Sequence, residues 1–256
     1  MNGTSADISL ILDTMETLPL EKAMAIDLME RFDEKFVGSA QHLPGILKGI
    51  QNRFLVQSTG SKRFSEYRTL YWDTNNLDFF KDHSRGKSKR AKIRKRLYTE
   101  TNTSFLEIKR SVSGKTFKTR VRSEFTESFS ENDQSFLTLN GFDCTTLTPV
   151  LYIEYQRIIL WDKAMEGRMT IDLVFTPYRH EKTDIFDNIF IFEIKGSRAY
   201  INKTIRSIDY PIDRNRTSFT KYGIGLIHNM EMDTKNAKGL FSIYKKLLKL
   251  NQPFDE

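Results

Sequence analysis

From Phe32 onward the chain alternates apolar and charged residues with a period of two, the pattern of strands whose two faces differ chemically. The clearest run is 92–98, where Lys92, Arg94, Arg96 and Tyr98 share one face and Ile93 and Leu97 the other. After a short polar turn, 105–110 places Glu107 and Lys109 on one face and Leu106 and Ile108 opposite, so the two runs read as an antiparallel hairpin. Ser113 and Gly114 turn the chain into 117–122, where Lys118, Arg120 and Arg122 again lie together. Further strands are predicted at 32–37, 53–57, 67–74, 150–160, 168–175 and 189–195. On these, Arg31, Asp33 and Lys35 share a face, as do Arg168, Thr170 and Asp172, and Glu193 and Lys195. Helical spacing predicts a short helix over 20–29 entered after Pro19, a second over 44–50, and a cover helix over 234–250 carrying Leu240, Tyr244, Leu247 and Leu248. The segments 1–15, 78–90 and 124–149 show little periodicity: the first is left without an element, the second reads as a loop, the third as a connection with at most one short helix.

Few helices and mostly adjacent antiparallel strand pairs predict an α+β fold, with helices packed outside a closed or nearly closed antiparallel β-barrel of about eight strands. One charged strand face is ordinarily solvated. Ionic residues at period two on at least five strands, with carboxylates interspersed, place that face on the inside of the barrel and the apolar face outward beneath the helices. No linker, repeat or low-complexity segment divides the 256 residues, so a single domain is expected.

Composition narrows the partner. A net charge of +7 favours an anion: nucleic acid, an acidic membrane surface or a phosphorylated small molecule. Inward-alternating cations accompanied by carboxylates fit a compact polyanion better than an extended nucleic-acid backbone, and no standard nucleic-acid motif is present. The lone Cys144 rules out an intramolecular disulfide framework. His42, His83, His180 and His228 lack metal-ligand spacing, and His83 reads as structural. No apolar run reaches the roughly 18 residues that span a bilayer, and no basic-then-apolar leader opens the chain, so a cytoplasmic location is expected.

The motifs resemble the VTC domain of polyphosphate polymerases, within the CYTH or triphosphate tunnel metalloenzyme superfamily. The resemblance runs from about 31 to 225 through 67–74, His83 with Gly86 and Lys87, 90–98, 105–109, 155–157, 168–172, 192–195 and 218–223. It implies one VTC-like tunnel domain over 1–256, whose β-barrel binds ATP or another triphosphate together with Mn²⁺ or Mg²⁺. By position it implies that Arg94, Arg96, Arg168 and Lys221 act on the transferring group and that Lys35 and Lys109 hold phosphates; the period-two pattern adds Lys92, Lys118, Arg120 and Lys195 to the phosphate-binding wall. Glu193 matches the metal-binding carboxylate, and Glu107 and Asp172 either supplement it or balance Arg96 and Arg168 as ion pairs.

These residue types suit the chemistry. A triphosphate carries close to four negative charges, and phosphoryl transfer depends mainly on positioning and charge stabilisation. Arginine forks match phosphate oxygens, lysines act as point charges, and a hard divalent ion takes oxygen ligands. Three departures from the family pattern stand out: Thr220 replaces a serine, Ser218 stands where a basic residue is usual with Arg216 two positions earlier, and Arg31, Asp33 and Lys35 replace the glutamate pair and lysine of the triphosphate hydrolases. The expected activity is therefore transfer of the ATP γ-phosphoryl group to a polyphosphate chain. A triphosphate or nucleotide hydrolase and a non-catalytic polyphosphate-binding module are the alternatives. Absence of a membrane segment implies a membrane-protein partner for product translocation.

Overall fold

A chain that alternates charge and hydrocarbon from Phe32 to Lys195 satisfies both faces only in a sheet with a dry side and an ionic side. The computed structural model describes residues 3–26, 32–181, 185–230 and 237–252. Arg31, positions 27–29 of the first predicted helix and 234–236 of the last lie outside the described residues. Among the described residues one sheet contains ten strands: β1 (Thr17–Pro19), β2 (Phe32–Ser39), β3 (Phe54–Ser58), β4 (Ser65–Thr74), β5 (Lys89–Tyr98), β6 (Thr103–Val112), β7 (Lys115–Arg122), β8 (Leu147–Asp162), β9 (Gly167–Tyr178) and β10 (Ile189–Gly196). Eight follow the order β2-β10-β9-β8-β4-β5-β6-β7, each antiparallel to its neighbour. β3 branches off β8, and β1 lies parallel to β3. Helices are α1 (Gly3–Thr14), α2 (Leu20–Met24), α3 (Leu43–Ile50), α4 (Asp78–Ser84), α5 (Glu131–Leu139), α6 (Arg198–Ser207), α7 (Lys221–Asn229) and α8 (Lys238–Leu250).

The apolar face points outward, as the charge pattern predicts. Phe36, Phe192, Ile194, Ile171, Met169 and Ile158 pack beneath α1, α3 and α6, while Leu70, Trp72, Ile93, Leu106 and Ile108 pack beneath α5. The other face is divided. Val37, Tyr71, Leu151, Ile153 and Ile191 bury α7 through Tyr222, Ile224 and Leu226, with α8 behind it; the remainder carries the ionic residues. Gly225 permits this close seat, since a Cβ there would stand 2.7 Å from Leu151.

The strand ends β2 and β7 are not hydrogen-bonded to each other, so the expected barrel is an open one. It is nonetheless strongly curled. β5 and β9 are three strands apart, roughly 14 Å in a flat sheet, yet consecutive residues at the start of α7 join them: Thr220 accepts from Lys92 of β5, and Lys221 meets Asp172 of β9.

Two expectations change. The predicted loop 78–90 contains α4, because the Asp73 carboxylate accepts the Phe79 and Phe80 amides at 2.9 and 3.0 Å and so caps the helix from the preceding strand. The unassigned N-terminus forms α1, burying Ile8, Ile11 and Leu12, with Met15 buried just past its end. No helix among the described residues is long and apolar enough to cross a membrane.

Candidate functional site

The inner row of β5 forms one wall. Arg94 is paired in register with Tyr71 and Glu107, Arg96 with Thr69 and Phe105, and Lys92 with Lys109. Directly opposed residues share a face, so these side chains meet inside the curl. The Arg94 guanidinium donates to Glu107 Oε2 from Nε at 2.8 Å and to the Tyr71 hydroxyl at 3.1 Å. Arg96 lies over the Tyr67 ring, 5.6 Å from its centroid. Lys92 donates to Thr220 Oγ1 at 2.6 Å, which gives the threonine that departs from the family pattern a defined position in the site. Among the described residues neither Lys92 nor Lys109 has a carboxylate within ion-pair distance. Burial and then neighbouring cations hold both ammoniums below the ordinary lysine value.

Three inner carboxylates each hold two cations. Glu107 pairs with Arg94 and with Lys118 at 2.5 Å. Asp172 takes a bidentate contact from Arg157 at 2.5 and 2.7 Å and a further one from Lys221. Glu193 contacts Lys35 at 3.1 Å and Lys195 at 3.2 Å, and Lys195 also reaches Asp33. Burial alone would raise these carboxyl pKa values; the adjoining cations outweigh it and hold all three below the usual carboxylate range.

The predicted residues thus converge on one channel face, with differences in detail. Glu107 balances Arg94, not Arg96, and Asp172 balances Arg157, not Arg168, because the hairpin registers set Glu107 against Arg94 and Asp172 against Arg157. Arg168 stands at the far end of the wall, opposite Lys195 and Trp161, with its guanidinium over the Trp161 ring. Trp161 in turn packs with Leu18 and Ala23. Lys118 and Arg120 lie on the exposed edge strand β7, Arg120 stacked on Phe105 at 4.4 Å. Arg216 points elsewhere, to Glu34 and Asp213.

Sequence reading missed Arg157 as a site residue, although the alternation of Tyr155 with Arg157 marks it. Its guanidinium lies beside the stacked Tyr67 and Tyr155 rings, 5.3 and 5.2 Å from their centroids. It also missed Tyr71, whose hydroxyl meets Arg94 only through the β4–β5 register.

No cluster of three or more carboxylate, histidine or cysteine groups that would cage a metal occurs among the described residues. Mg²⁺ and Mn²⁺ bound with phosphates need few protein ligands, one or two carboxylates sufficing when the substrate supplies oxygens. Glu193, half-buried at 15% side-chain exposure and kept anionic by Lys35 and Lys195, fits that need, whereas Glu107 and Asp172 are 1% and 3% exposed beneath their own cation pairs.

Comparison with known proteins bears on the family to which the chain belongs. The VTC domain profile matches residues 30–228. An adenylate cyclase candidate from Bacillus halodurans is similar at 12% identity over 75% of this chain and 96% of its own, with a TM-score of 0.49. An adenylyl cyclase candidate from Hippeastrum with a dominant triphosphatase activity is similar at 10% identity over 79% and 97%, with a TM-score of 0.47. No curated protein matches. The profile match takes in every inner strand from β2 to β10 as well as α7, well over half of the sequence, and the chain belongs to the VTC domain family.

Proposed function

We propose that the channel binds ATP and transfers its γ-phosphoryl group to a polyphosphate chain. The observation that carries this reading is the state of the inner carboxylates. Glu107, Asp172 and Glu193 are each held by two cations that keep its pKa below the usual carboxylate range, so each is a poor base. Hydrolysis must orient and deprotonate water. A terminal phosphate oxygen of a polyphosphate chain is already anionic and asks for no base, only for alignment and charge stabilisation.

In this reading the terminal oxygen attacks the γ-phosphorus in line, a new P–O bond forms, and the bond to the β–γ bridging oxygen breaks to release ADP. Arg94 and Arg96 brace the equatorial oxygens with Lys221 flanking them, and Arg168, at the far end of the wall, acts on the more distant phosphates. Lys35, Lys92, Lys109 and Lys195 hold the rest of the phosphates, and Lys118 and Arg120 receive the chain at the rim. Glu193 would hold a Mn²⁺ or Mg²⁺ carried in by the nucleotide, which would supply further neutralisation of phosphate charge.

The test is incubation with ATP and Mn²⁺, with products sized on a gel. Polyphosphate and ADP are expected, and Glu193→Ala should abolish turnover while tripolyphosphate still binds. Free phosphate without polymer would identify a hydrolase; tight binding with no product from folded protein would identify a binding module. Either outcome overturns the polymerase reading.

A further inference from the structure

One titratable group at this site has no role in the scheme above. His83 lies in the last turn of α4, a helix fixed by the Asp73 cap and packed against β5 and α7. Its Nδ1 is buried and has no hydrogen-bond partner, and an unsatisfied buried polar atom in a well-ordered wall requires an explanation. The groups acting on it are cations: Lys92 and Arg90 from β5, Lys109 from β6 and Lys35 from β2. Carboxylates on neighbouring elements are committed elsewhere. Asp73, on β4, is occupied by the α4 amides and by the hydroxyl of Tyr222 on α7; Asp82 pairs with Lys87 at 2.6 Å, and Glu193 with Lys35 and Lys195. The channel is therefore polar along its length. One part carries its cations already matched to Glu107, Asp172 and Glu193, whereas the part beneath α4 collects Lys92, Lys109 and an imidazole with no anion of their own.

We propose that His83 is a contact of the bound phosphate chain and that its imidazole takes up a proton from solvent as the chain arrives. This deepens the phosphate-binding reading above and rests on it. In the empty site, burial and then the four cations hold the imidazole at about 3, so the ring is neutral at physiological pH. A phosphate chain lying among Lys92, Lys109 and His83 reverses the local field. The protonated ring then donates to a phosphate oxygen, and the lysines gain the counter-charge they lack. Because the bound state holds one more proton than the free state, affinity must rise as pH falls through the bound-state value, by up to about tenfold per pH unit.

The experiment is an NMR titration of the histidine ring Cε1–H resonances from pH 8 to pH 5, with and without saturating inorganic tripolyphosphate. Comparison with His83→Gln assigns one of the four histidines, and calorimetry on the same samples measures binding. The His83 resonance is expected to stay neutral throughout in the free protein and to titrate within this range in the complex. His83→Gln should lose the corresponding one-proton part of the pH dependence of affinity. Tripolyphosphate that binds while His83 remains neutral overturns this inference alone. Tripolyphosphate that does not bind at all removes the phosphate-binding reading and the inference with it. The resonance measurement uses the wild-type chain, so it decides the question even where the variant folds poorly.

Discussion

At the scale of single residues, the inner carboxylates organise the cations and also tie stability to pH. Glu107 is 1% exposed yet anionic because Arg94 and Lys118 enclose it. The folded pKa values of Glu107, Asp172 and Glu193 lie below those of the unfolded chain, so below roughly pH 5 the unfolded state binds more protons than the folded one. Their stabilisation is thus complete above the unfolded carboxylate values near 4 and is lost as pH falls further. Urea denaturation between pH 3.5 and pH 8 should show a steep acid limb. Glu107→Gln should destabilise by about 3–5 kcal/mol at pH 7, the cost of leaving Arg94 buried without its counter-ion, and should flatten that limb by about one proton. An unchanged limb in the variant would mean that Glu107 is not the buried anion described here.

At the scale of elements, the back of the arginine strand is held by a second, dry ion pair. Lys95 sits between Arg94 and Arg96 but points outward, where its ammonium meets Asp133 at 3.0 Å, the Ser128 carbonyl at 2.6 Å and Thr126 Oγ1 at 3.2 Å, with both charged side chains 1% exposed. Asp133 also closes a capping box with Ser130 at the start of α5. Lys95→Met should therefore cost about 3–5 kcal/mol in chemical denaturation by stranding Asp133, whereas Lys95→Met with Asp133→Leu should recover most of that loss. Asp133→Leu also removes the capping box, worth about 1 kcal/mol, so only a double variant as unstable as the single one would show that the charges themselves are needed. Neither Lys95 nor Asp133 stands out in the sequence, because period two marks Lys95 as belonging with Ile93 and Leu97 and says nothing of a charge seated there. The same limit applies more widely. Nine of the strands were legible since alternation is local to each of them. β1, with three residues, and α4, with seven and a cap supplied by Asp73, are too short to show a period. α1 and the residue just past its end did offer Ile8, Ile11, Leu12 and Met15 at helical spacing, and α7 was seen only as a motif because it is apolar on nearly every side.

At the scale of the whole molecule, the sequence conveyed which residues face inward but not which cation meets which carboxylate, since that follows from registers between strands far apart in the chain. The curl joins Lys35, Arg94, Lys109, Arg157 and Glu193 into one electrostatic unit, while the unpaired edge of β7 leaves Lys118 and Arg120 in contact with solvent. These two groups of cations should respond differently to salt. Exposed charges act through water and are screened within about 8 Å at physiological ionic strength, whereas buried ones are screened far less. Tripolyphosphate affinity should therefore fall by about tenfold or more between 0.05 and 0.5 M NaCl, with the rim supplying most of the dependence. Arg120→Ala should weaken binding at low salt and reduce the slope of affinity against salt. Arg94→Gln, which removes a buried fork anchored by Glu107 and Tyr71, should weaken binding at every salt concentration and leave the slope nearly unchanged. Equal slopes in wild type and Arg120→Ala would mean that β7 stands outside the path of the bound chain, and the polyanion would then be held wholly within the curl.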